Sequence, residues 1–308
     1  MLSALLLYLS ADFCLPGKKK KQKTMKKLTF SPDYFNPTQT LECGQIFRFK
    51  KAPLNGENDN RYMVFSRDKA CFLTQENNLT CVYCLPEDEE YFINYFDESE
   101  NYGEIFARAK NCGSAVLAKA AESGKGIRIL RQNPEEMLYS FVISQNNNIP
   151  RIKKIINGLC EALGEKKNID GAEYRAFPET QVLAEQTEDF FVSMGLGYRA
   201  GYMKNLSIEL KNGLLEEASS LSGEKLKARL LKIKGIGEKV ADCACLFGFH
   251  KTDSFPVDVW LEKVYREDFK GELTDRKKIT AYFTQKFGQD SGYFQQYLFY
   301  YKRSIEKK

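Results

Sequence analysis

Residues 224–243 read EKLKARLLKIKGIGEKVADC, and Pro256-Val-Asp-Val259 places Asp258 19 residues beyond Lys239. Glu224 to Ile233 has helical spacing, Lys234-Gly235-Ile236-Gly237 interrupts it, and a second helix is expected from Glu238, the pair covering about 224–249. Gly235 and Gly237 let the chain turn tightly and let another backbone come close. The first amides of the second helix would then point outward, unpaired, at a positive dipole end. Two helices joined in this way form a helix-hairpin-helix, which grips DNA phosphates without reading sequence. A Gly-x-Gly turn alone suits an ordinary helical hairpin better.

The neighbouring residues supply chemistry. Lys239 falls in the first turn of the second helix, with Cys243 and Phe247 one and two turns on along the same face. A helix N-terminus and partial burial both push an amine's pKa down. That matters because, near an ordinary pKa of about 10.4, only roughly one lysine in a few thousand is free amine at pH 7. Pro256 followed by Asp258 marks another helix start, where a carboxylate can stay ionised opposite a developing cation. Singly these are a surface lysine and a helix cap. Together they form an amine–carboxylate pair fit for attack on a sugar carbon.

Outward from this stretch the chain divides. Gln45–Lys50, Arg61–Ser66, Cys71–Thr74 and Leu79–Cys84 carry strand signals, with Asn55-Gly56 in a turn, so 28–127 reads as a small antiparallel β domain. Asn133-Pro134-Glu135-Glu136 is a strong helix start followed by an almost wholly apolar run, which predicts a buried central helix. Further helices are predicted at about 150–163, 179–194, 200–217, 224–233, 238–249, 257–267, 275–287 and 291–304. The class is α+β, with an all-α region over 128–308.

Composition excludes several alternatives. The 308 residues are 43% hydrophobic and 28% charged, an ordinary globular balance. The net charge of +5 is misleading, because Lys18, Lys19, Lys20, Lys21, Lys23, Lys26 and Lys27 are seven of the cations; without them the rest of the chain carries −2. DNA binding must therefore rest on local features. One histidine, His250, and one CxxC pair, Cys81 and Cys84, leave no set of zinc ligands. Residues 1–27 are expected to be a disordered tail or the product of a misassigned start upstream of Met25. The apolar run Leu2–Leu9 is too short to cross a membrane. With lysines after rather than before that run and nine cysteines read as reduced thiols, an intracellular protein is expected, in a bacterial cytoplasm or nucleoid rather than a nucleus.

These motifs, with Gly44-Gln45, Arg128-Ile-Leu-Arg-Gln132, Ser144–Arg151, Gly195-Leu-Gly-Tyr-Arg-Ala200 and Gly292–Phe299, resemble the helix-hairpin-helix glycosylase superfamily with its Gly/Pro-Asp signature. The resemblance is greatest to 8-oxoguanine DNA glycosylases of the eukaryotic type, and it covers most of the chain from about residue 40. It implies that Lys239 attacks the sugar C1′ and forms a Schiff base, while Asp258 stabilises the oxocarbenium-like transition state. It implies a base pocket in which the Gly44 carbonyl accepts the N7 hydrogen that 8-oxoguanine has and guanine lacks. Cys243 and Phe299 would sandwich the base, Gln295 would bind its Watson–Crick edge, and Phe247 would line the pocket. Asn146, Arg151 and Arg199 would hold the cytosine left behind, Tyr198 would wedge into the gap, and Gly235, Gly237 and Trp260 would meet the DNA backbone.

Some positions depart from the family pattern. Trp260 stands where eukaryotic members usually carry histidine, Phe247 where methionine is common, and no cysteine follows Cys245 to build an iron–sulfur loop. The implied enzyme is a monomer acting on 8-oxoguanine-containing duplex DNA, with no cofactor beyond a monovalent cation at the hairpin carbonyls. A non-enzymatic DNA-binding protein and the same chemistry on another oxidised purine are the alternatives.

Overall fold

The alternating apolar residues of the N-terminal part demand a sheet covered on both faces, and the computed structural model, which describes residues 24–53 and 61–306, contains one. Strands β1 (Lys26–Phe30), β2 (Phe49–Lys51), β3 (Tyr62–Ser66), β4 (Lys69–Glu76) and β5 (Leu79–Cys84) pair antiparallel in the order β1-β5-β4-β3-β2. Helix α1 (Pro37–Glu42) lies between β1 and β2 in sequence. Leu28, Tyr62, Val64, Cys71, Leu73, Val82 and Cys84 face Phe92, Tyr95 and Phe96 of helix α2 (Glu89–Tyr95) and its end. Met63, Ala70 and Phe72 point the other way, as the two-residue period of a strand requires. Cys81 and Cys84 sit three apart on one strand and therefore on opposite faces. Among the described residues no group of three or more His, Cys, Asp or Glu could hold a metal.

The structure departs from the sequence reading at several places. Lys26 and Lys27, counted with the tail, open β1 and pair with Cys84 and Tyr83 of β5; residues 1–23 and the Asn55-Gly56 turn lie outside the described residues. Residues 89–123, read as the close of the strand-rich part, are α2, α3 (Tyr102–Asn111) and α4 (Ala115–Ser123). Ile105, Leu117 and Ala120 of α3 and α4 join the same core as the C-terminal helices. A ribbon of β6 (Lys166–Ile169) and β7 (Ala172–Arg175), turning at Asp170-Gly171, covers the second face of the sheet through Ile169, Ala172 and Tyr174.

Helix α5 (Pro134–Ser144) is the predicted central helix: Asn133 caps it through the Glu136 amide at 3.1 Å, and Glu135 to Ile143 are all buried. Around it stand α6 (Ile149–Leu163), α7 (Thr180–Glu185), α8 (Glu188–Ser193), α9 (Ala200–Lys211), α10 (Leu214–Ser219), α11 (Gly223–Leu230), α12 (Glu238–Cys243), α13 (Val259–Lys263), α14 (Arg276–Phe287) and α15 (Ser291–Glu306). Two predicted helices are each broken in two. Thr187 caps α8 and separates it from α7, and Gly213, at φ +90°, separates α9 from α10. Helices α12 and α13 run on as π-helical turns at Ala244–Gly248 and Val264–Asp268.

A buried ion pair ties the sheet to α5. Arg48 Nη1 lies 3.1 Å from Glu136 Oε1, Arg48 Nη2 donates to the Arg175 carbonyl at 2.7 Å, and Glu136 Oε2 accepts the Arg67 amide at 2.5 Å. Breaking one side strands a buried charge. Glu136→Gln is expected to lower unfolding free energy by about 3 kcal/mol, read from urea melts, and Arg48→Met with Glu136→Leu should cost less than the single change.

Candidate active site

The chain crosses from α11 to α12 through Lys234–Gly237 as predicted. Gly235 has φ +100°, and a Cβ on it would lie 2.3 Å from Cγ of Tyr202, so no other residue fits. A Cβ on Gly237 would meet nothing within 4 Å, which leaves the start of α12 open to an approaching backbone. Lys227 of α11 braces the hairpin by reaching Asp242 at 2.7 Å and Glu238 at 2.9 Å of α12. Burial pushes the Asp242 carboxyl up to about 6. Gln145 Nε2, beyond the end of α5, donates to the Gly235 carbonyl at 2.9 Å, and Ile236 N–H donates to that of Ile233 at 3.0 Å. A monovalent cation at these carbonyls would share oxygens already in use.

Lys239 is half-buried beside α5, its Nζ 4.8 Å from the ring centroid of Phe141. Asp258 caps α13, and both of its helix hydrogen bonds, from Trp260 N at 2.9 Å and Leu261 N at 3.1 Å, fall on Oδ1. Burial raises the Asp258 carboxyl above its ordinary value, while the Leu261 amide, the Lys239 charge and the Trp260 amide pull the other way. Both residues line a cleft of about 1080 Å³ along with Asn146, Trp260, Arg276 and Lys277. They also line a second cavity of about 50 Å³ that holds Gly44, Cys243, Phe247, Gln295 and Phe299. The amine and the carboxylate thus stand at the neck between an open cleft and a small pocket.

Every pocket residue expected from the sequence lines this one cavity. Gly44 has φ +93°, and a Cβ there would press on Phe299 at 3.2 Å and Arg303 at 3.1 Å. Gln295 donates through Nε2 to the Pro256 carbonyl at 3.2 Å, which leaves its buried Oε1 without a partner and free to accept. Burial pushes the Cys243 thiol up to about 11, so it presents a neutral, soft surface. Phe247 stacks on Phe141 at 5.7 Å and 15°. Phe141 and Arg303 were not singled out in the sequence. Phe141 lies inside an apolar run with nothing to mark it, and Arg303 sits one turn beyond Phe299 on α15. A site of 50 Å³ holds a few waters, since one water needs roughly 10–15 Å³ on this measure. A purine enters only if the walls part.

The residues expected to meet the opposite strand gather around the turn at Gln145 and Asn146, and Asn146 itself lines the cleft. Asn146 has φ +45° and is exposed, as is Tyr198 at 58%. Arg151 is exposed and donates to the Gly195 carbonyl at 3.1 Å. Arg199 differs from expectation. It is 3% exposed, and its Nε, Nη1 and Nη2 donate to the carbonyls of Gln145 (2.7 Å from Nε), Leu196 (3.2 Å) and Asn146 (2.8 Å). In this state it holds the Asn146 turn rather than presenting a free fork.

Comparison with known proteins shows what the chain resembles. Residues 27–138 match the family described as 8-oxoguanine DNA glycosylase, N-terminal domain. An N-glycosylase/DNA lyase of Saccharomyces cerevisiae is 36% identical over 75% of this chain, an alignment that spans 62% of the yeast protein's own length. An N-glycosylase/DNA lyase of Arabidopsis thaliana is 30% identical, covering 84% of this chain and 75% of the plant protein. The 8-oxoguanine glycosylase/lyase of Clostridium acetobutylicum, solved with double-stranded DNA bearing cytosine opposite 8-oxoguanine, is 37% identical with TM-score 0.83, covering 89% of this chain and 93% of that one. A 3-methyladenine DNA glycosylase of Archaeoglobus fulgidus, 17% identical with TM-score 0.73, shares the fold.

The raised carboxyl at Asp258 has a consequence for stability. Its pKa is higher folded than unfolded, so ionisation weakens the fold as pH rises through the folded value. Asp258→Asn keeps a capping oxygen and removes the charge. Thermal melts should show the variant matching wild type near pH 4 and surpassing it at pH 7, the gap opening above the unfolded value of about 3.9.

Proposed function

The chain belongs to the 8-oxoguanine DNA glycosylase family, and on that premise we propose that it is a bifunctional DNA glycosylase/AP lyase that excises 8-oxoguanine from duplex DNA. The observation that carries this reading is the placement of Lys239 and Asp258 at the neck shared by the cleft and the pocket. DNA lies in the cleft, the damaged nucleotide turns into the pocket, and its C1′ stops beside both side chains.

Neutral Lys239 Nζ attacks C1′ as the bond to the base breaks, and ionised Asp258 stabilises the positive charge that builds on the sugar in the transition state. The attacking nitrogen passes a proton to the departing base, and the C1′–O4′ bond then opens with a proton to O4′, which leaves the sugar as a protonated Schiff base. Loss of a C2′ proton then expels the 3′ phosphate by β-elimination, and water frees the lysine. The Gly44 carbonyl reads the N7 hydrogen of 8-oxoguanine, and the unpaired Oε1 of Gln295 accepts from the base's Watson–Crick edge. Cys243 and Phe299 cover the two faces of the base.

On the facing strand, Arg151 and Asn146 hold the orphaned cytosine, Tyr198 fills the gap, and Arg199 keeps the Asn146 turn in shape. The start of α12 at Gly235 and Gly237, with Trp260, meets phosphates. Lysine chemistry of this kind requires neither metal nor organic cofactor, and a monovalent cation at the hairpin carbonyls would serve DNA binding only. We read the protein as a monomer, working in a bacterial cytoplasm. No described helix is long and apolar enough to cross a membrane.

Borohydride trapping on an 8-oxoguanine duplex tests the reading directly. Wild type should be captured covalently, while Lys239→Gln should form no adduct and lose activity about a thousandfold or more. A wild-type protein that binds the duplex without an adduct would instead be a DNA-binding protein. Excision opposite C and opposite A measures the second half of the reading. Arg151→Ala should narrow the preference for C by about tenfold, the scale of one good bidentate contact.

A further inference from the structure

The Gly44 loop has an unusual distribution of hydrogen bonds. Arg303 Nη2 donates to the Glu42 carbonyl, Gln296 Nε2 to that of Cys43 at 2.9 Å, and Gln132 Nε2 to that of Gln45 at 2.7 Å. The two carbonyls before Gly44 and the one after it are engaged by side chains from two distant segments. Among the described residues nothing donates to the Gly44 carbonyl itself. The loop is also held from within: Gln45 Nε2 donates to Thr40 at 3.0 Å and Arg128 at 2.7 Å, and its Oε1 accepts the Leu130 amide at 2.9 Å.

We propose that Gln296 and Gln132 are positioning residues that aim the Gly44 carbonyl into the base pocket. The peptide linking Gly44 to Gln45 lies between two others whose oxygens are fixed. A glycine at φ +93° otherwise leaves its peptide plane easy to rotate. Pinning the planes on both sides holds the central oxygen toward the pocket before any base arrives. Preorganisation of this kind matters only for recognising the base, because the sugar chemistry at Lys239 does not involve this oxygen. Gln296 is buried on α15 directly after Gln295, so one helix supplies both the acceptor for the base edge and the donor that aims its partner.

The inference rests on the 8-oxoguanine reading of the site, and the test separates the two. Gln296→Leu keeps the side chain's bulk and removes its donor. Single-turnover excision of 8-oxoguanine should fall about tenfold, as for loss of one aimed hydrogen bond, while cleavage of a ready-made abasic site stays within about twofold of wild type. Gln296→Glu, which sets an acceptor against the Cys43 carbonyl, should fall further. Gln132→Leu, on the opposite side of the loop, should repeat the Gln296→Leu pattern and decides the matter if the α15 variants fold poorly. Excision unchanged in both leucine variants, or excision and abasic-site cleavage falling together in Gln132→Leu, would overturn the inference. Wild-type protein inert on 8-oxoguanine would overturn the function itself.

Discussion

Helix α5 is buried along nearly its whole length, and the site is assembled against it. Its first turn receives Arg48 through Glu136, which fixes the sheet and, beyond it, the Gly44 loop. Its middle supplies Phe141, the ring on which Phe247 stacks and beside which the Lys239 amine rests. Just beyond its end, Gln145 bonds the hairpin at Gly235, and its carbonyl receives Arg199. A helix surrounded by protein cannot shift without opening the core, so the pieces it touches keep a fixed spacing.

On the proposed function, that arrangement fixes where the Lys239 amine stands on a chain whose charge is otherwise unremarkable. Basic residues that merely attract DNA can sit anywhere on the surface. A reacting amine needs a fixed position, and here the face of Phe141 lies against it on one side. The nearby cations are largely committed elsewhere: Lys227 to Asp242 and Glu238, and Arg276 to Glu262 at 2.9 Å. Asp258 faces the amine with one oxygen committed to its own helix, which holds the carboxylate in register while its charge is used.

The parts legible in the sequence were those in which one short segment carries its own signal. Gly235, Gly237 and Lys239 lie within five residues, Pro256-Val-Asp258 marks its own cap, and Asn133-Pro134 starts α5. The π-turn extensions and the breaks at Thr187 and Gly213 are finer than a spacing argument resolves. Helices α3 and α4 did carry a signal, since Asn101 and Ser114 cap them and α3 buries Tyr102, Ile105 and Ala109 at helical spacing, but the strands before them drew 28–127 into one β reading. The ribbon β6–β7 did carry a signal, Asp170-Gly171 with φ +50° and +81°, the pair a tight hairpin turn favours. Four-residue strands with charged side chains at four of their eight positions hid it. Phe141 and Gln296 had no signal at all, because their importance arises from contacts made about a hundred or more positions away. Arg199 was legible as a residue but not in its posture, since only the fold shows its donors spent on the turn it supports.

On the proposed function, the narrowness of the pocket also bears on how the protein would spend its time on DNA. Undamaged guanines vastly outnumber lesions, and each could compete for the same site. A pocket standing open would capture every base that left the stack and hold the protein there. One that parts only for a base able to satisfy Gly44 and Gln295 makes each failed trial brief, because walls that part without those contacts close again quickly. Tightness at rest is then a property of the search, setting how many sites the protein can sample, as much as of the excision that follows.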